Sequence, residues 1–284
     1  MADASADDAR RKEASGPGWQ EHFVDVRRAS NTASVGLAVS QSLSYVTIAH
    51  FASMDERRAL LDSAAEVSAE ASADDGGSNH ILFASGANNN CDRYSVETLL
   101  DSGAKSASSA LLNRLLGFLD GSGGDPGIDD PEYLPQGGGE RMSDLAKEVF
   151  RVTNSSDLKN MKVLWYDEPD EEGKLHPEPK VNVYSEGGYF TQHGDGMELT
   201  ILVVLTDEDD FKGGGTAFYR DLDLTHDDIE VANMSNASHS LEPESVARPL
   251  AGTAMIWGGT LQHMALPVTE GTRAVYVGSF DLEK

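Results

Sequence analysis

Apolar residues recur at the spacing of an α-helix in three segments of the N-terminal half. "MDERRALLDSAAEVSAE" (54–70) carries them on one face, and Ser53 stands ahead of it as a candidate N-cap. "SASSALLNRLLGFLD" (106–120) is amphipathic in the same way, and "RMSDLAKEVFRVT" (141–153) repeats the pattern. Ahead of these predicted helices, "SYVTIAHF" (44–51) is rich in β-forming residues and predicts a strand.

The pattern changes at about residue 161. From there on, short runs rich in Val, Ile, Tyr and Phe alternate with glycines, which favours an antiparallel sandwich or barrel. The fold class expected is therefore α+β with a mostly β core. The predicted strands lie in "MKVLWY", "KVNVYSEGGYF", "ELTILVVLTD", "GGGTAFYR", "ARPLAGTAMIWGG" and "RAVYVGSFDL".

The expected organisation is an N-terminal arm and one domain. Residues 1–40 begin with a small, charged stretch and predict a poorly ordered arm. Residues 41–284 predict a single domain, in which 41–160 give helical support and 161–284 form the β core.

Two acidic segments interrupt the predicted strands. Residues 221–247 are polar and acidic and predict a long surface insertion, with a lid over the site as the alternative. Residues 165–180 carry six acids and predict a solvated hairpin. The alternative for this second segment is that it folds over a substrate site and favours a basic peptide.

Composition limits the partners and the compartment. A formal net charge of −26 argues against a nucleic acid or an anionic membrane as partner, because both need a basic face. The single cysteine, Cys91, excludes an intrachain disulfide. No apolar stretch has the length of a signal peptide core or a membrane span. We therefore expect a soluble intracellular protein located in the cytoplasm.

Candidate metal chemistry lies in "GGYFTQHGDGMEL". Residues two apart in an extended segment point to one face, so His193 and Asp195 present an imidazole and a carboxylate side by side. His263, between two later predicted strands, offers a second imidazole. Two histidines and one carboxylate leave coordination positions open, which suits non-haem Fe(II). Zinc with a bound water accepts the same three ligands.

Arg273 supplies a separate indication. It opens "RAVYVGSF", a predicted core strand, where a guanidinium is costly to bury without an anion. Its planar fork suits a carboxylate, and a metal-bound 2-oxo acid with a distal carboxylate would provide one. The alternative is an arginine at an exposed strand end, paired with Glu270 or Asp281.

These residues resemble a known family. "YSEGGYFTQHGD" resembles the Y-x-x-G-G-x-Y-x-x-H-x-D segment of prolyl 4-hydroxylase-type 2-oxoglutarate/Fe(II) oxygenases. "FKGGGTAFY", "PLAGTAMIW" and "H…PVTEGTR" follow in the order that this family shows. The resemblance implies a double-stranded β-helix (jelly roll) flanked by N-terminal helices. Phe190 stands where the family often has Tyr, and Val277 where some members have Thr.

The resemblance also implies roles for individual residues. His193, Asp195 and His263 match the iron ligands, and Arg273 matches the basic residue that anchors the distal carboxylate of 2-oxoglutarate. Tyr184 matches a tyrosine whose hydroxyl meets the same carboxylate. Thr200 is a further candidate for the wall of this pocket, with an ordinary strand threonine as the alternative.

The function implied is that of an Fe(II)- and 2-oxoglutarate-dependent hydroxylase that uses O₂ and releases succinate and CO₂. Ascorbate is a candidate additional cofactor. The expected substrate is a prolyl residue of a protein or peptide, and the alternative is a free amino acid or another small metabolite. Two other classes stay open at this point: a zinc hydrolase, which leaves Arg273 unexplained, and a non-catalytic jelly-roll binding domain.

Overall fold

The structure is a computed structural model and describes residues 19–24, 44–73, 82–83, 89–97, 99, 102–119, 162–169, 175–219, 242–259 and 261–283. Within this part the chain is mostly β, with two helices. The helices are α1 (Met54–Ala73) and α2 (Ser102–Leu119). The strands are β1 (Trp19–Phe23), β2 (Ser44–Ile48), β3 (Leu82–Phe83), β4 (Asn89–Asn90), β5 (Asp92–Ser95), β6 (Lys162–Trp165), β7 (Asp167–Pro169), β8 (Leu175–Pro177), β9 (Lys180–Tyr184), β10 (Tyr189–His193), β11 (Leu199–Val204), β12 (Phe211–Gly213), β13 (Thr216–Phe218), β14 (Ser245–Ala247), β15 (Ala254–Gly258), β16 (His263–Ala265), β17 (Val268–Gly271) and β18 (Arg273–Glu283).

The strands form two main antiparallel sheets. A nine-stranded sheet has the order β1-β2-β15-β11-β18-β9-β5-β3, with β6 added along the far end of β18. A five-stranded sheet has the order β14-β13-β16-β10-β4. Two short ribbons, β12–β17 and β7–β8, complete the described pairings. The expectation of an antiparallel, mostly β core with supporting helices is confirmed.

The central strand β11 shows how the layers are arranged. All six of its residues are buried, as expected for a strand covered on both faces. Ile201 and Val203 belong to the apolar cluster that includes Leu60 of α1 and Leu111 of α2. The intervening Leu202 belongs to a second cluster, with side chains of the small sheet. The large sheet therefore has the helices on one face and the small sheet on the other.

Helix α1 begins with a capping box, which confirms Ser53 as the N-cap. The Ser53 hydroxyl accepts a hydrogen bond from the Glu56 amide at 3.2 Å, and the Glu56 carboxylate accepts one from the Ser53 amide at 2.8 Å. The same carboxylate pairs with Arg114 of α2 at 2.9 Å. One acidic side chain thus fixes the start of α1 and joins the two helices.

Several element bounds differ from the predicted ones. Helix α2 begins at Ser102 rather than at 106, because the small residues at its start conceal the apolar periodicity. Strand β1 lies within the predicted arm and pairs with β2, although the polar centre of its sequence, WQEHF, does not indicate a strand. Strand β14, three residues long, lies in the predicted insertion 221–247 and pairs with β13.

Some of the predicted segments lie outside the described residues, and others can be compared with the structure. The third predicted helix, 141–153, and residues 221–241 of the insertion lie outside the described residues. The acidic segment 165–180 contains the predicted hairpin, formed by β7 and β8. Neither described helix carries an apolar stretch of the kind that a bilayer span requires.

Candidate functional site

Two strands of the small sheet bring the predicted histidines together. Strand β10 ends with His193 and β16 begins with His263, and the two residues are direct partners in the antiparallel register. Their ring centroids lie 4.3 Å apart. Asp195 follows His193 after a single glycine. Strand pairing therefore places three side chains from distant parts of the sequence in one cluster.

The geometry of this cluster fits a metal ion. The His193 Nε2 atom lies 3.4 Å from Asp195 Oδ1, and the His263 Nε2 atom lies 3.6 Å from Asp195 Oδ2. One ligand atom from each residue can be chosen so that all three lie within 4.8 Å of one another. Donors that share an ion at about 2.0–2.2 Å must themselves approach to about 3–3.5 Å. The three side chains are thus already close to the spacing that a shared ion requires.

The hydrogen bonds of the two histidine rings direct Nε2, the atom that could bind a metal, toward the cluster. His193 Nδ1 lies 2.7 Å from the Thr191 carbonyl, and His263 Nδ1 lies 2.9 Å from the Leu261 carbonyl. Since a carbonyl only accepts, each Nδ1 carries the proton and each Nε2 presents a lone pair. Burial lowers the pKa of His263 to about 4, so this ring is neutral near pH 7.

Asp195 is held in its ionised form. Burial by itself would raise the pKa of Asp195, but the His263 and His193 rings and the Thr200 hydroxyl outweigh that effect and keep it well below the ordinary value. The ionised carboxylate therefore faces the Nε2 atoms of both rings. Acceptors that face each other at 3.4–3.6 Å are stabilised by a cation between them.

Thr200 lies behind the Asp195 carboxylate. It is fully buried, and its hydroxyl donates to Asp195 Oδ2 at 2.5 Å and lies 3.2 Å from the Ser279 hydroxyl. Among the described residues that line the cavity next to the cluster, Thr200 is absent. Its side chain holds the Asp195 carboxylate from behind, because residues 195 and 200 meet where the loop after β10 joins β11.

A cavity opens beside the three residues. Tyr184 and Thr216 lie in its wall, as does Trp257, whose indole packs edge-on against the His263 ring with centroids 4.8 Å apart. The indole Nε1 is buried and has no hydrogen-bond partner among the described residues. Trp257 therefore forms an aromatic wall of the cavity next to His263, and its indole N–H has no hydrogen-bond acceptor among the described residues.

Arg273 is buried against two of these lining residues. Its side chain is 2% exposed, Nη2 donates to the Thr216 hydroxyl at 3.3 Å, and the guanidinium lies over the Tyr184 ring at 5.6 Å. Within the described part of the chain, Nη1 is buried without a hydrogen-bond partner. An unsatisfied buried guanidinium nitrogen is costly and indicates a place for an anion.

The alternative partners of Arg273 are engaged elsewhere. Glu270 pairs with Lys212 at 2.5 Å, and Asp281 accepts the Glu198 amide at 2.8 Å. The exposed, acid-paired arginine considered from the sequence is therefore wrong. A buried residue at the start of β18 cannot reach acids that point away from the space between the sheets.

Tyr184 is the register partner of Arg273 on the neighbouring strand β9. Its side chain is 3% exposed, and its hydroxyl lies 3.5 Å from the Asn182 side-chain nitrogen. Burial raises the pKa of the phenol above its ordinary value, so the hydroxyl keeps its proton. Tyr184 thus presents a neutral hydroxyl in the wall next to the Arg273 guanidinium.

Two charged residues of the cavity wall were missed by sequence reasoning. Arg93 belongs to β5, in a stretch for which no strand was predicted, and Glu178 was read as part of the acidic hairpin. Both are 6% exposed. The available signal was an arginine in a short run with buried neighbours, "CDRYSV", but a run of that length does not reveal which strand it pairs with.

Comparison with protein-family models gives no match, and comparison with curated protein sequences gives none either. Several solved structures are similar at low identity. A prolyl-4-hydroxylase from Pseudomonas putida is 12% identical, with 97% of this chain and 98% of that one covered and a TM-score of 0.45. A prolyl hydroxylase from Trichoplax adhaerens, in complex with a hypoxia inducible factor peptide fragment, is 9% identical, with 90% and 93% covered and a TM-score of 0.47.

The non-haem α-ketoglutarate-dependent epimerase SnoN from nogalamycin biosynthesis is 14% identical, with 84% of this chain and 76% of that one covered and a TM-score of 0.44. Likenesses as distant as these assign no activity. The chemistry has to be judged from the side chains of the site.

Proposed function

We propose that the chain is an Fe(II)- and 2-oxoglutarate-dependent hydroxylase. The observation that carries the proposal is the buried Arg273, whose Nη1 has no partner among the described residues and whose neighbours line the same cavity as the His–Asp–His cluster. The fold proposed with it is a double-stranded β-helix in a single domain, 41–284, with helical support from 41–160 and a jelly-roll core over 161–284.

His193, Asp195 and His263 would hold the metal through Nε2, a carboxylate oxygen and Nε2. When bound, Fe(II) with 2-oxoglutarate and O₂ supplies the oxidising power to hydroxylate a C–H bond, with release of succinate and CO₂. The chain's own part is to orient both rings, because the carbonyls of Thr191 and Leu261 hold the Nδ1 protons and leave each Nε2 for the metal.

Arg273 would bind the distal carboxylate of 2-oxoglutarate. Its position on Thr216 and over the Tyr184 ring fixes the guanidinium plane, and the free Nη1 can then donate to a carboxylate oxygen. The Tyr184 hydroxyl would donate to the same carboxylate. Burial makes these interactions strong because little water competes for the anion.

A zinc hydrolase is the less favoured use of the same ligands. It requires a general base, and Glu178 is the second carboxylate among the described residues that line the cavity. One Glu178 oxygen accepts the Ser279 amide, and the other lies 3.5 Å from Arg93. Both oxygens are therefore engaged, and the hydrolase leaves Arg273 without a role.

The expected substrate from the resemblance is a prolyl residue of a protein or peptide, with a free amino acid or other small metabolite as the alternative. Arg93 and Glu178 place charged groups in the wall of the cavity, which suits a substrate with polar or charged groups.

Anaerobic addition of Fe(II) and 2-oxoglutarate tests the proposed function. We expect a weak visible charge-transfer band, since a 2-oxo acid chelated to Fe(II) absorbs there, and succinate once O₂ is admitted. The Zn(II)-loaded protein is the control and should give neither signal, because zinc has no redox chemistry. Absence of both the band and succinate in the Fe(II) sample would contradict the proposal.

Replacing Thr200 with valine keeps the shape of the side chain and removes the hydroxyl that donates to Asp195. We expect metal affinity to fall about 10- to 100-fold, the usual effect of losing a partner that orients a ligand. Titration with Mn(II) measures the change, and Thr253→Val, at a buried threonine outside the cavity wall, is the matched control. Unchanged metal affinity in Thr200→Val would show that the hydroxyl does not position Asp195.

A further inference from the structure

A row of aromatic side chains runs from the metal cluster toward one end of the large sheet. Trp257 of β15 is the register partner of Tyr45 on β2, and Tyr45 is in turn the register partner of His22 on β1. Strand β1 stands at the end of the described strand order. Direct partners in neighbouring antiparallel strands lie side by side on one face, so the three rings form one row across three strands.

The rings of this row are in contact with one another and with a proposed metal ligand. The Trp257 ring lies 4.8 Å from the His263 ring and 5.4 Å from the ring of Phe218, measured between centroids. Phe218 stacks on Tyr45 at 4.2 Å, and Tyr45 stacks on His22 at 4.7 Å. At these separations the rings pack directly against each other. An unbroken series of ring contacts therefore joins His263 to His22.

The row leads from the interior to the surface. Trp257 is 1% exposed and Tyr45 is 4% exposed, whereas His22 at the far end is half-buried. The Tyr45 hydroxyl lies 3.0 Å from the hydroxyl of Ser245 on β14, which is itself half-buried. A serine hydroxyl both accepts and donates, so it can take the phenolic proton and pass one on to water. Tyr45 therefore has a ring contact on the metal side and an outlet for its proton on the other.

The two buried members of the row are of the kind that gives up an electron. Indole and phenol rings are oxidised far more readily than phenyl rings or aliphatic side chains. The proposed function produces a strong oxidant beside His263, and the substrate C–H bond normally consumes it. When no substrate is in place, the oxidant has to be reduced by the side chains around it. Trp257 packs against His263 and lines the same cavity, so it is among the first groups that the oxidant meets.

We propose that Trp257 and Tyr45 form an electron-transfer path that protects the site when O₂ is activated without substrate. The proposal rests on the 2-oxoglutarate-dependent function given above and adds a second activity to it. One electron passes from Trp257 to the oxidised metal, and an electron from Tyr45 replaces it. The phenolic proton leaves through the Ser245 hydroxyl, which makes Tyr45 a neutral radical. A one-electron donor in solution, such as ascorbate, then returns one electron and one proton to Tyr45 at the His22 end of the row.

Electron paramagnetic resonance of rapidly frozen samples tests the path. The full chain, loaded with Fe(II) and 2-oxoglutarate without oxygen and without a second substrate, is mixed with O₂ and frozen at intervals. We expect the signal of a tyrosyl radical, which should narrow when the protein is produced with ring-deuterated tyrosine. Ascorbate added after O₂ should remove the signal. The Zn(II)-loaded protein is the control and should give no radical, because zinc has no redox chemistry.

Variants assign the radical to one of the eight tyrosines of the chain. Tyr45→Phe keeps the stacked ring and removes the oxidisable phenol, so it should lose the tyrosyl signal and still form the anaerobic charge-transfer band. Ser245→Ala removes the proton acceptor and should lower the radical yield. Tyr94→Phe is the matched control and should keep the signal, because Tyr94 is buried in the cluster on the helix side of the large sheet. In Tyr45→Phe, peptide mass spectrometry should find added oxygen at Trp257 after repeated turnover without substrate.

Several outcomes would overturn the path. A tyrosyl signal that survives in Tyr45→Phe and disappears in Tyr184→Phe would mean that the cavity wall is oxidised directly. The same pattern of added oxygen in the wild type and in Tyr45→Phe would mean that the aromatic row is packing alone. If the charge-transfer band and succinate form but no tyrosyl radical appears, the path alone fails. Without the band and succinate, the proposed function fails and the path fails with it.

Discussion

Replacing Asp195 with alanine should abolish metal binding and turnover together. The carboxylate lies within 3.4–3.6 Å of both Nε2 atoms and is the one negatively charged group of the cluster. Without it, two neutral imidazoles remain to hold a dication. Since loss of a supporting partner already costs about 10- to 100-fold in metal affinity, loss of the ligand should exceed that range.

Titration with Fe(II) or Mn(II), followed by 2-oxoglutarate turnover, measures both effects of Asp195→Ala. The matched control is Asp207→Ala, at an acid whose side chain is 65% exposed and pairs with Arg57 outside the cavity. The control should bind metal as the wild type does. Undiminished metal binding and turnover in Asp195→Ala would mean that another acid is the ligand.

Replacing Arg273 with glutamine should weaken 2-oxoglutarate binding and leave metal binding unchanged. Truncating one partner of a buried, hydrogen-bonded charge pair costs about 2–5 kcal/mol, which is about 30- to 4,000-fold in affinity. Arg273→Lys keeps the charge but loses the planar fork, so it should retain part of the affinity. Arg248→Gln, at an exposed arginine whose Nε donates to the Gly214 carbonyl, is the control.

Stability offers a second measurement on the same variant. No described carboxylate pairs with Arg273, so replacing Arg273 leaves no buried acid without its partner. The replacement also removes the free-energy cost of burying Nη1 without a hydrogen bond. We therefore expect the melting temperature of Arg273→Gln, without ligands, to be no lower than that of the wild type. Equal loss of metal and 2-oxoglutarate affinity, with a lower melting temperature, would show that Arg273 is structural.

The strongest local patterns predicted the elements that hold the site. Strands β11 and β18 are long, apolar runs, and the capping box at Ser53 uses residues three apart in sequence. The pair His193 and Asp195 also depends on local alternation alone. Such features need no knowledge of which strands are neighbours.

Two features that depend on the pairing and the turns of the strands were not predicted from the sequence. Arg93 enters the cavity because β5 pairs with β9, a register that nothing within its short run specifies. Thr200 holds Asp195 because the chain turns back between them, a contact that the local sequence does not specify. Both contacts depend on how the elements are arranged in the tertiary structure and not on the local sequence.

A structure of the protein crystallised without oxygen, with Mn(II) in place of Fe(II) and with 2-oxoglutarate, tests the central claim most directly. One metal should lie about 2.0–2.2 Å from His193 Nε2, His263 Nε2 and an Asp195 oxygen. The far carboxylate of 2-oxoglutarate should be hydrogen-bonded to Arg273. A metal bound elsewhere, or a 2-oxoglutarate carboxylate that makes no contact with Arg273, would contradict the account.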